Sequence, residues 1–76
     1  MDPFRLREFE AQLDYWLQQG YQIMADEADG EIRLTVIFVA RAGELGKERE
    51  QVFWPMVPET VDMLARRGVE ISRAGV

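Results

Sequence analysis

The side chains most able to do chemistry are the carboxylates of Asp26-Glu27-Ala28-Asp29-Gly30-Glu31, four in six residues. A calcium loop counted from Asp26 needs oxygen ligands at positions 1, 3 and 5 and a bidentate glutamate at position 12. Position 3 is Ala28 and position 12 is Ile37, so the pattern fails. The chain has no histidine and no cysteine, which removes the commonest general base, the commonest metal ligand and the thiol nucleophile. Gly43, Gly46 and Lys47 lack the spacing of a phosphate loop. A carboxylate pair such as Glu8 and Glu50 is the only acid–base arrangement left. The expectation is therefore a non-enzymatic chain with no cofactor and no metal. Its acidic turn is either solvated or meets a partner's cations.

Charge sharpens that expectation. Fourteen acidic residues against nine basic ones give a net of -5. A duplex binder gathers a basic surplus on one face. Eight of the nine cations are arginine, which suits bidentate pairing at interfaces. Nucleic-acid binding through Arg33, Arg41, Arg49, Arg66 and Arg67 is the alternative, if they cluster.

The elements that position these groups centre on residues 31–40. Ile32, Leu34, Val36, Phe38 and Ala40 alternate with Arg33, Thr35, Ile37, Val39 and Arg41. Period two with β-branched residues predicts a strand whose first face is core. Asp29-Gly30 is a type I′ turn signal, so residues 21–28 pair antiparallel with it. Tyr21, Ile23 and Ala25 then share one face, and Gln22, Met24 and Asp26 the other. Residues 48–54 form a third strand, placed at an edge by Pro55. Trp54 either caps the core or anchors a partner.

Two helices flank the strands. Asp2-Pro3 caps the first, with Leu6, Phe9, Leu13, Trp16 and Leu17 as its apolar stripe and Gly20 as its stop. Arg5, Glu8, Gln12, Gln19 and Tyr15 lie away from that stripe. Pro58 opens the second helix and Gly68 ends it, with Val57, Val61, Leu64 and Ala65 as its stripe. Residues 69–72 alternate and add a short fourth strand. The fold class is α+β, two layers in α-β-β-β-α order around an antiparallel three-stranded meander, one domain over 1–76. The order resembles that of double-stranded-RNA-binding domains. That family reads phosphates with lysines opening its last helix, where this chain has Pro58, Glu59 and Asp62. The order is also similar to that of the small acidic chaperones of bacterial secretion systems.

With both helices on one side, Ile37 and Val39 fall on the uncovered side, beside Met24 and residues 52–56, flanked by Arg33, Arg41 and Arg49. A rimmed apolar patch marks an interface. The expected function is protein binding, as a small inhibitor or adaptor of the kind phages and plasmids encode. The partner is a target protein or the chain's own copy as a homodimer. The contacts would be Ile37, Val39, Trp54, Arg33, Arg41 and Arg49, together with the acidic Asp26, Glu27, Asp29 and Glu31. The opening residues lack the pattern of a secretory leader and no apolar run approaches the ~20 residues of a membrane span, which points to the cytoplasm.

Overall fold

A computed structural model describes residues 1–38 and 49–73. The order is α1 (Pro3–Gln18), β1 (Gln22–Ala28), β2 (Glu31–Ile37), β3 (Arg49–Pro55), α2 (Pro58–Arg66) and β4 (Ile71–Ser72). The α+β class and the meander hold. The sheet order is β3-β2-β1-β4, antiparallel except that the two residues of β4 run parallel to β1. Proline at the end of β3 is tolerated because that strand is an edge.

Local chemistry sets the boundaries. The Asp2 carboxylate accepts the Phe4 N–H at 2.9 Å and Pro3 takes the first helical position, where its missing N–H costs nothing. Both helices end the same way. Gly20 and Gly68 sit at φ +80° and +74°, where a side chain is strained. The Tyr21 N–H reaches back to the Trp16 carbonyl at 3.1 Å, and the Val69 N–H to that of Leu64 at 2.9 Å. These six-to-one bonds, with the tighter pair inside each, form Schellman motifs that satisfy carbonyls the helix leaves open. Between β1 and β2, Asp29 at φ 51° and Gly30 at φ 79° give the two-residue left-handed turn.

Both helices pack on one face of the sheet. Phe9, Leu13 and Trp16 of α1 and Leu64 of α2 meet Ala25, Ile32, Leu34, Val36 and Trp54 in a single core. Arg67, just past α2, clamps α2 to α1. Its Nε donates to Asp14 at 2.7 Å, and Nη2 reaches Asp14 at 3.2 Å and Glu10 at 3.3 Å.

Each helix is rotated about its axis relative to the face expected. In α1 the buried ridge is Phe9, Leu13 and Trp16, and Leu17 is exposed. At 100° per residue, Leu17 and Gln12 flank that ridge by about 70° on opposite sides. The Leu17 flank meets water, while the Gln12 side chain turns inward and accepts the Trp54 Nε1–H at 2.9 Å. In α2 the buried pair is Thr60 and Leu64, and Ala65 is exposed. Thr60 is the one buried polar side chain among the described residues. Its Oγ1 accepts the Val57 N–H at 3.2 Å and offers its proton to the Pro55 carbonyl at 2.7 Å or the Val57 carbonyl at 3.0 Å. The hydroxyl thus sews the end of β3 to the first turn of α2. The substitution Thr60→Val keeps the shape and orphans both backbone groups, so urea titration should show a loss of about 1–3 kcal/mol. A loss within error of zero contradicts this role.

Candidate interaction surface

The face away from the helices is laid out by the strand register. From the hairpin end, its rows are Ala28, Glu31 and Pro55; then Asp26, Arg33 and Phe53; then Met24, Thr35 and Gln51; then Gln22, Ile37 and Arg49. Ser72 flanks Asp26 from β4. Neither helix contributes to this face. Met24 and Phe53 are about half exposed, at 54% and 51%. Ile37 is half-buried. A depression of about 740 Å3 lies here, with Met24, Thr35, Ile37 and Gln51 in its lining.

The expected contact residues divide sharply. Ile37, Arg33, Arg49, Asp26 and Glu31 lie on this face. Val39 and Arg41 fall outside the described residues. Trp54 is not on the open face. It is 7% exposed on the helix side, its ring 4.8 Å from that of Phe9 and beneath the Arg5 guanidinium at 5.2 Å. Of its two readings from sequence, core capping is the one its position fits. Val52 and Met56 likewise pack on the core, so of the apolar residues 52–56 the open face keeps Phe53 and Pro55. This surface is consequently Met24, Ile37 and Phe53, with Ala28 and Pro55 at the hairpin end, spaced among Thr35, Gln51 and Gln22 rather than a continuous patch.

The acidic turn is split as well. Asp26 points to the open face, where Arg33 stands directly opposite on β2. The Arg33 Nε donates to Asp26 Oδ1 at 3.0 Å, and Nη2 pairs with Oδ2, a fork that matches the planar guanidinium to the carboxylate. Glu27 is exposed on the helix side, in the alternation of Ile23 and Ala25. Asp29 occupies the turn, and Glu31 is exposed on the open face opposite Ala28 and Pro55. No single acidic surface results.

Of the arginines of the nucleic-acid alternative, Arg33 and Arg49 share the open face, Arg66 and Arg67 stand at the end of α2, and Arg41 lies outside the described residues. Arg33 pairs with Asp26, Arg66 with Asp62 at 2.8 Å, and Arg67 with Asp14 and Glu10. Three of the five are thus matched within the chain. Among the described residues, no group of three histidine, cysteine, aspartate or glutamate side chains is placed to hold a metal. None of the described helices is long and apolar enough to cross a membrane.

Phe53 was included in the apolar 52–56 stretch but not singled out, and it is the large side chain of that stretch that stands on the open face. Its signal was present, since it alternates with Val52 and Trp54, but both faces of that strand end apolar and nothing local says which faces in. Comparison with family models, with curated proteins and with solved structures found no match to this chain.

The forks have a measurable signature. Hydrogen bonding to Arg67 and Arg33 holds the Asp14 and Asp26 carboxyls below the usual carboxylate range. A carboxyl whose folded pKa is depressed adds stability above its unfolded value and loses it as pH falls through the folded one. Urea midpoints should therefore drop on acidification below about pH 4. The drop should be smaller in Asp14→Asn and Asp26→Asn, which are already weaker at pH 7. Parallel pH profiles for all three chains would remove the forks from the acid response.

Proposed function

We propose that this chain is a small non-enzymatic protein-binding module, an inhibitor or adaptor of the phage or plasmid kind, that acts through the open face of its sheet. The observation that carries the reading is the pair of half-exposed side chains, Met24 and Phe53, standing with Ile37 on the face that neither α1 nor α2 covers. Aromatic residues and methionine are enriched at protein interfaces, where they bring large apolar area. Thr35, Gln51 and Gln22 between them can supply hydrogen bonds, as in interfaces formed by proteins that also exist free.

The sequence admits two mechanisms. In one, the acidic hairpin turn with Glu44, Glu48 and Glu50 imitates nucleic-acid phosphates; in the other, the apolar sheet face with Trp54 wedges into a groove. Glu44 and Glu48 lie outside the described residues, and among the rest the apolar route has the better support. Imitation of nucleic-acid phosphates requires carboxylates gathered on one surface, and here Asp26 is matched by Arg33 while Glu27 and Glu31 lie on opposite sides. Absence of histidine and cysteine supports the non-enzymatic reading. The cytoplasm is the compartment it implies.

The test is affinity capture from host lysate with the full chain as bait, read by mass spectrometry against Ile37→Asp and Phe53→Asp baits. Both variants should keep the wild-type circular dichroism, because neither side chain belongs to the core. They should lose the proteins that the wild-type bait retains. Retention should weaken little with added salt, as an apolar contact requires. Identical protein sets on all three folded baits would refute the reading.

A further inference from the structure

We propose that the open face is closed by a second copy of this chain, laid antiparallel across it about a two-fold axis that crosses β2 between Arg33 and Thr35. The inference rests on the reading of that face as a protein-binding surface, and it names the partner.

The charges of the face select the partner. The molecule carries a net charge of -5. On the three long strands of this face, however, two arginines stand against two carboxylates: Arg33 and Arg49, Asp26 and Glu31. Glu70 adds one carboxylate at the outer margin, beyond β1. Such a face has no surplus with which to draw in a strongly basic or strongly acidic protein. Arg33 and Asp26 satisfy each other through their fork. Among the described residues Arg49 and Glu31 make no ion pair, and they sit at opposite ends. Arg49 is opposite Ile37 and Glu31 is at the other end of the same strand. Six residues of extended chain separate those ends, about 20 Å. A surface with a cation at one end and an anion at the other is complementary to itself when reversed.

Reversal is what the proposed axis does. It lays β2 antiparallel on β2 and β3 on β3, so the Arg49 end of each copy covers the Glu31 end of the other. Two equivalent Arg49–Glu31 pairs form, as isologous symmetry requires. Phe53 then lies over Gln51 of the second copy, and Met24 over its Asp26. Any two-fold axis running along the strands keeps like ends together. One centred on β2 sets Glu31 against Glu31 and Arg33 against Arg33, and like charges across an interface are strongly unfavourable.

The area fits a reversible dimer. Three strands seven residues long and the two residues of β4, about 4.8 Å apart, offer on the order of 400 Å2 per copy. The total of roughly 800 Å2 is below the bound of about 1,000 Å2 for a stable interface, so the dimer is a weak one and should dissociate on dilution.

Sedimentation equilibrium of the full chain over a dilution series tests this. We expect a species of twice the 8.8 kDa chain mass at high concentration. Arg49→Glu and Glu31→Arg should each weaken association about tenfold or more. Mixing the two variants should restore it. In the mixed dimer the carboxylate introduced by one substitution meets the guanidinium introduced by the other, and the second pair is the native Arg49–Glu31. Both positions are exposed, and circular dichroism verifies folding. A dimer indifferent to these reversals, or one that mixing fails to rescue, overturns the arrangement. A wild-type chain that is monomeric at every concentration overturns self-pairing. In that case, loss of captured proteins from the Phe53→Asp bait keeps the protein-binding reading standing. Unchanged capture by that bait removes both.

Discussion

β4 joins the sheet beside β1, at the edge farthest from β3, and it runs parallel to β1. The chain between β3 and β4 therefore has to cross the sheet, and it can cross on only one side. It crosses as α2, on the side that α1 already occupies. Arg67 fastens it there by forking onto Asp14 and reaching Glu10 of α1. Once both helices are committed to that side, the other face has no covering element among the described residues. The half-exposed Met24 and Phe53 follow from that commitment.

The division of labour in β2 follows as well. Its even-numbered side chains, Ile32, Leu34 and Val36, are completely buried, while Arg33, Thr35 and Ile37 on the other side are half-buried by their strand neighbours alone. A face left to water tends to be polar, and this one is mostly so: the Arg33–Asp26 fork, Thr35, Gln51 and Gln22. Apolar residues on it work against solubility unless they are covered part of the time. Modest apolar content, balanced charge and limited area together suit a contact that forms and dissolves.

Much of the fold is legible from residue types with strong local meaning. Asp2-Pro3, Gly20, Asp29-Gly30, Pro58 and Gly68 each impose a backbone conformation that needs no tertiary information, and the element boundaries follow them closely. The alternation in β2 is equally plain, because one of its faces is entirely apolar. What was not legible depended on contacts distant in sequence. Gln12 turns inward because Trp54, 42 residues on, offers an indole N–H. Thr60 lies buried in α2 because the Pro55 carbonyl and the Val57 N–H need partners there. Arg67 finds Asp14 across 53 residues. On the open face, Asp26 and Arg33 looked like two separate charged features until the register set them opposite each other. Phe53 and Trp54 were the hardest pair to assign, since adjacent aromatics on a strand point to opposite faces and both are apolar.

The proposed function turns on whether that face is available in the free chain and becomes hidden by contact. Methyl NMR with a soluble paramagnetic probe addresses this most directly, following Met24 and Ile37 against the buried Leu13 and Leu34. In dilute solution the probe should bleach Met24 strongly and Ile37 partly, while leaving both leucines untouched. Raising the protein concentration should protect Met24 and Ile37 together. Bleaching that stays constant at every concentration, or Met24 shielded even at high dilution, would contradict a face kept open for a second molecule.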